Sequence, residues 1–145
     1  MSLNPAETRD LAAFAGMMIP PSAKYGVPGA DDPAIFADIV KNLGRDRDDV
    51  RAALLRLSAL AGCAFADSAA DRRLEIAGAF RAEGGPALAA ITRVVLLCYY
   101  RDDRVMAALG QEARPPFPKG HTVEQGDWSL LDPVKKRPPF YRRVP

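Results

Sequence analysis

Proline placement limits what this chain can fold into more than any other feature. Seven of the thirteen prolines lie between Pro115 and Pro145. Proline has no amide donor and clashes with the preceding turn, so this stretch cannot run as a long helix or a central strand. The segment from Arg114 to Phe140, "RPPFPKGHTVEQGDWSLLDPVKKRPPF", also holds the only histidine and the only tryptophan. Ahead of it, prolines stand where helices start or stop. The chain reads as a helical domain over 1–110 and an irregular arm over 111–145, the arm packing on the same domain.

The first 110 residues carry helical spacing and little else. Asn4 caps a first helix, Pro5 suits its first position, and Glu7 closes a capping box. Leu11, Phe14, Ala15 and Met18 form its apolar face, and Pro20–Pro21 stop it. After a loop punctuated by Gly26, Pro28 and Gly29, Asp32 caps a second helix with Ile35, Phe36, Ile39, Val40 and Leu43, ended by Gly44. A third helix turns Val50, Leu54, Leu57 and Ala61 inward. A fourth, capped by Ser68 or Asp67, uses Leu74, Ala77 and Phe80 and stops at Gly84–Gly85. Pro86 opens a fifth, "PALAAITRVVLLCYY", apolar on nearly every side and so expected to be central, with Leu96 and Leu97 buried. Asp102 or Asp103 caps a last short helix closed by Gly110. No sustained alternation of period two appears. The expected fold is all-α, a compact bundle of five or six helices with an irregular proline-rich C-terminal arm.

Composition narrows the function. A net charge of +2 gives no reason to expect specific nucleic-acid binding. The most apolar stretch is too short to span a bilayer and carries Arg93, so no transmembrane segment is expected. The start, "MSLNPAETRD", has no leader, which places the chain as given in the cytoplasm, or in the periplasm if a leader has been removed. Cys63 and Cys98 sit in apolar helical patterns and read as buried free thiols.

The search for chemistry yields no catalytic, cofactor-binding or metal-ligating set. His121 stands alone in the arm, far from the serine or cysteine partnership a triad needs. Neither a dinucleotide fingerprint nor a phosphate loop occurs. Asp31–Asp32, Asp48–Asp49 and Asp102–Asp103 each stand at a helix start, where carboxylates satisfy free amides. Lys135, Lys136, Arg137, Arg142 and Arg143 form a short basic end. What stands out is apolar and aromatic residues outside the helices: Tyr25, Val27, Phe117, Trp128, Leu130, Leu131, Phe140 and Tyr141 among them. Such residues either anchor onto the chain's own core or meet a partner. Residues Pro115 to Val134 are expected to be ordered against the helical body, with Trp128 as the anchor.

Two segments carry a resemblance. "MMIPPSAKYGVPGADDPAIFADIV" and "LLCYYRDDRVMAALGQEARPPFPKGHTVEQGDWSLLDPVKKR" resemble the N-terminal motif and C-terminal signature of the gluconate 2-dehydrogenase subunit 3 family. The resemblance implies a non-catalytic small subunit that stabilises or assembles a large flavoprotein of the glucose–methanol–choline type, a sugar or alcohol dehydrogenase. FAD is then expected in the partner subunit, with no cofactor in this chain, and a cytochrome subunit can take the electrons. Many family members carry a twin-arginine leader; with none here, stabilisation of the flavoprotein is the expected role. The residues marked for a partner interface are Tyr25, Pro28, Phe117, His121, Trp128 and Tyr141. Two other readings stand beside it: a stand-alone small enzyme using His121, Glu124 and Asp127, and a basic-tailed module for nucleic acid or anionic surfaces.

Overall fold

The computed structural model of the chain describes residues 3–115, 117–120 and 122–138. The chain divides into two compact units, Met1–Ala113 and Arg114–Pro145. The fold is all-α. Among the described residues no strand forms, and the one extended pairing is an isolated antiparallel bridge between Ser22 and Val27.

Local chemistry sets most helix ends in the first unit. Helix α1 spans Pro5–Met18. The Glu7 amide donates to Asn4 Oδ1 at 2.8 Å and the Asn4 amide to Glu7 Oε2 at 2.7 Å, closing the expected capping box. Helix α2, Pro33–Lys41, begins where Asp32 accepts from the Ala34 and Ile35 amides. It ends at Asn42 rather than at Gly44. Gly44, at φ +46°, opens a 3₁₀ turn over Gly44–Asp46 that feeds helix α3, Arg47–Ala61. A second 3₁₀ turn, Phe65–Asp67, precedes helix α4, Ala70–Glu83. Its N-cap is Ala69, with no side-chain bond, because the two expected caps are engaged elsewhere. Asp67 faces Arg9 at 3.5 Å and the Ser68 hydroxyl lies 3.6 Å from Cys63 Sγ. Helix α5, Gly85–Tyr99, follows directly, and Asp102 caps helix α6, Asp103–Ala108.

Helix α3 packs against α5 and α4, α2 lies on α5, and α1 lies on the Phe65–Asp67 turn and α3. Leu54, Leu57, Phe65, Ile91 and Val95 are among the residues enclosed at the centre. Two expected stripes are corrected. On α4 the core takes Ile76 with Phe80, while Leu74 is 60% exposed. Positions two apart lie roughly 200° around a helix, so Leu74 and Ile76 cannot both face one core. On α5 the inward face is Ala90, Ile91, Val94, Val95 and Cys98, whereas Leu97 is 59% exposed and Leu96 is half-buried. Helix α5 is central on one side only.

The loop between α1 and α2 is pinned rather than free. Ser22 and Val27 exchange backbone bonds of 3.0 and 3.1 Å, and the Tyr99 hydroxyl donates to the Pro28 carbonyl at 3.1 Å. The Asp31 side chain lies against Gly16 and Gly29. A Cβ on Gly29 would stand 2.5 Å from Asp31 Oδ1, so both positions need a bare backbone. Arg104 then ties two helix starts together. Its Nη2 donates to Asp32 Oδ1 at 2.7 Å and its Nε to Asp102 Oδ1 at 3.0 Å. These bonds hold both carboxyls below the usual aspartate range, with burial opposing the shift.

The described residues of the second unit form local structure but no buried core. A 3₁₀ turn over Trp128–Leu131 leads into a single α-turn, α7, Asp132–Lys135, so the arm is less irregular than its prolines suggest. Asp127 caps the turn by accepting from the Ser129 amide at 3.0 Å, and Arg114 Nη2 donates to the Gly120 carbonyl at 2.7 Å. Every described residue of the unit except Arg114 is exposed.

Two predictions test this packing. Ile91→Ala should lower unfolding free energy by about 2–5 kcal/mol, while Leu97→Ala should stay within about 0.5 kcal/mol, both read by urea denaturation. For Arg104→Met the sign follows from depressed carboxyl pKa values. Their stabilisation is full above the unfolded value of about 3.9 and is lost as pH falls through the lower folded value. The melting temperature of Arg104→Met should therefore lie below wild type at pH 7, and the gap should narrow as the pH falls below the ordinary aspartate range.

Candidate functional site

The expected interface residues fall in both units. Tyr25 sits at the tip of the first-unit loop, 65% exposed, with Lys24 Nζ 5.1 Å from its ring centre. Pro28, in the same loop, gives its carbonyl to Tyr99 and so serves the fold as well as the surface. Phe117 and Trp128 belong to the second unit and are 84% and 64% exposed. His121 and Tyr141 lie outside the described residues, as does Phe140.

Trp128, the expected anchor of the arm, is exposed. Its indole N–H donates to Gln125 Oε1 at 3.3 Å, three residues back, and the described residues of its unit leave the ring uncovered. Leu130, Val123 and Val134 are exposed with it. Asp127, considered as part of an enzymatic set, is occupied as a cap. Bonds from Ser129 hold its carboxyl below the ordinary range, which suits a turn and not a proton donor at neutral pH.

Sequence reasoning missed a large concavity of the first unit. A groove of about 980 Å³ runs along the outer side of α5, bounded by Met17 and Met18 of α1 and by Ala77 and Arg81 of α4. Its floor is the α5 stripe Leu88, Ala89, Thr92, Arg93, Leu96 and Leu97. These positions recur at intervals of three and four, the spacing by which one helix presents a seam to another. The signal was partial: α5 is apolar on nearly every side, so one face could stay outside the core, but the pattern does not say which. Among the described residues lining the groove there is no carboxylate; Arg93, in the middle of α5, is paired with Asp46 of the Gly44–Asp46 turn.

The rest of the surface offers little chemistry. A smaller cleft of about 450 Å³ is lined by charged side chains that neutralise one another, Arg101 with Asp38 at 2.7 Å and Arg104 with Asp102. Among the described residues no group of three histidine, cysteine, aspartate or glutamate side chains could hold a metal ion. No helix of the described residues is long and apolar enough to cross a membrane. The two thiols differ. Cys98 is buried, and burial pushes it up to about 11, whereas Cys63 is exposed at the end of α3. No protein-family model, curated protein or solved structure matches the chain.

The thiols give a direct check on this arrangement. At pH 8 a group with that pKa is thiolate about one part in a thousand, and it is also shielded. Titration with Ellman's reagent should consume Cys63 quickly and Cys98 only after denaturant is added. Two fast thiols would show that the α2–α5 packing around Cys98 is wrong.

Proposed function

We propose that the chain is a non-catalytic small subunit that stabilises or assembles a large FAD-dependent dehydrogenase of the glucose–methanol–choline type. In this reading the partner holds the flavin and oxidises a sugar or an alcohol, and a cytochrome subunit accepts the electrons. The observation that carries the reading is the arm. Phe117, Trp128 and Leu130 expose large apolar side chains on a unit whose described residues bury none, and apolar surface of that kind is characteristic of protein contact. The two strings that resemble the gluconate 2-dehydrogenase subunit 3 family supply the class of partner. The basic-tail alternative is weakened because Lys135 pairs with Asp132 at 3.3 Å, leaving fewer free cations for phosphate.

Co-expression with a large subunit of that flavoprotein class tests the proposal. The wild-type chain should co-purify with the flavoprotein. Trp128→Ala should weaken the complex about thirtyfold, a loss of about 2 kcal/mol typical of an aromatic contact at the centre of an interface. Its own melting temperature should be unchanged, since the ring is already in solvent. A flavin absorption band that stays with the chain alone through gel filtration would refute the non-catalytic role.

A further inference from the structure

Helix α5 has one face too many for the body it sits in. Ala90, Ile91, Val94, Val95 and Cys98 fill the core, and the opposite stripe from Leu88 to Leu97 remains as the floor of an open groove. We propose that this groove is the docking site for an amphipathic, acidic helix of a partner protein, which completes the bundle by covering the second face of α5. The proposal rests on the accessory-subunit reading for whose helix it is.

Three observations fix the occupant as a helix. The floor repeats at three and four residues, which interlocks with side chains of like spacing. From Gly85 to Leu97 it extends about 18 Å at 1.5 Å per residue, enough for roughly three turns of a partner. One wall is Met17 and Met18, unbranched side chains that adapt to the shape laid against them.

Charge fixes its sign. Arg81 stands on the rim in the last turn of α4 with no ion-pair partner among the described residues, and no carboxylate lines the groove with it. Glu83, two residues further on, is already held by Arg56 Nε at 2.8 Å. An acidic side chain on the incoming helix would therefore meet an uncommitted guanidinium. A second copy of this chain fits less well. A two-fold pairing of groove on groove would set one basic rim against another.

The test uses the full chain and two designed 14-residue peptides, alike in a leucine stripe at three and four spacing, one with glutamates on its polar face and the other with lysines. Isothermal titration should show the glutamate peptide binding at least tenfold more tightly than the lysine peptide, with circular dichroism reporting added helix. Arg81→Glu should reverse that preference. Leu97→Glu should abolish binding while leaving the melting temperature unchanged, because Leu97 is already exposed. Equal affinity for the two peptides, or binding untouched by Leu97→Glu, would overturn the proposal. A dimer in sedimentation that Leu97→Glu dissolves would assign the groove to a second copy, and displacement of the peptide by laurate would assign it to a small amphiphile; either overturns it. If Arg81→Glu and Leu97→Glu chains still co-purify with the flavoprotein, the groove assignment fails and the accessory role stands. Failure of the wild-type chain to co-purify sinks that role without touching peptide binding.

Discussion

Asp10 is the one charged side chain buried among the described residues, and it holds three segments at once. From the middle of α1 it accepts the Ala66 amide at 2.8 Å and the Ser58 hydroxyl at 3.1 Å. The first bond satisfies a backbone donor in a 3₁₀ turn that has no helical ladder to serve it. Leaving such a group unpaired in a core costs about 1–3 kcal/mol. The turn in turn delivers Phe65, fully enclosed, against Phe14 at 6.3 Å. Polar and apolar contacts thus fix the rotation of α1 about its axis. Once Asp10 and Phe14 point inward, Met17 and Met18 fall beside α5 and become the wall of the groove.

A second lattice of bonds organises the opposite end of the first unit. Arg104 spans the N-caps of α2 and α6, Arg101 reaches Asp38 on α2, and Tyr99 holds the loop through the Pro28 carbonyl. These groups sit within six residues of one another at the end of α5. The α5–α6 turn therefore acts as a clasp for everything between Pro28 and Asp38. The carboxylates at this end serve caps and ion pairs together, which explains why adjacent aspartates need no catalytic purpose.

Features set by a few neighbouring residues were legible in the sequence. The Asn4–Glu7 box, the Asp32 and Asp102 caps, the proline starts and the Gly84 stop all depend on chemistry within a turn or two. All-α character followed from the same spacing. Features set by distant packing were less legible. Leu74 and Ile76 compete for one core, and only the position of α3 decides between them. Cys63 ends a helix whose apolar pattern runs one turn past its burial. Helix α5 is uniformly apolar, so no periodicity could say which face stays uncovered, and the groove went unread for that reason. Trp128 is another such case: a large ring among prolines suggested an anchor, and the described residues of its own unit leave it exposed.

The exposure of the described residues in the second unit has a consequence for how such a chain can change over generations. Substitutions in the body are filtered through stability, because nearly every inward position touches several others. From Pro115 onward the described side chains face solvent, so exchanging one alters folding free energy very little. The two units are therefore filtered by different constraints along the same polypeptide. A lineage can revise the described arm residues one by one while the helices of the first unit stay as they are.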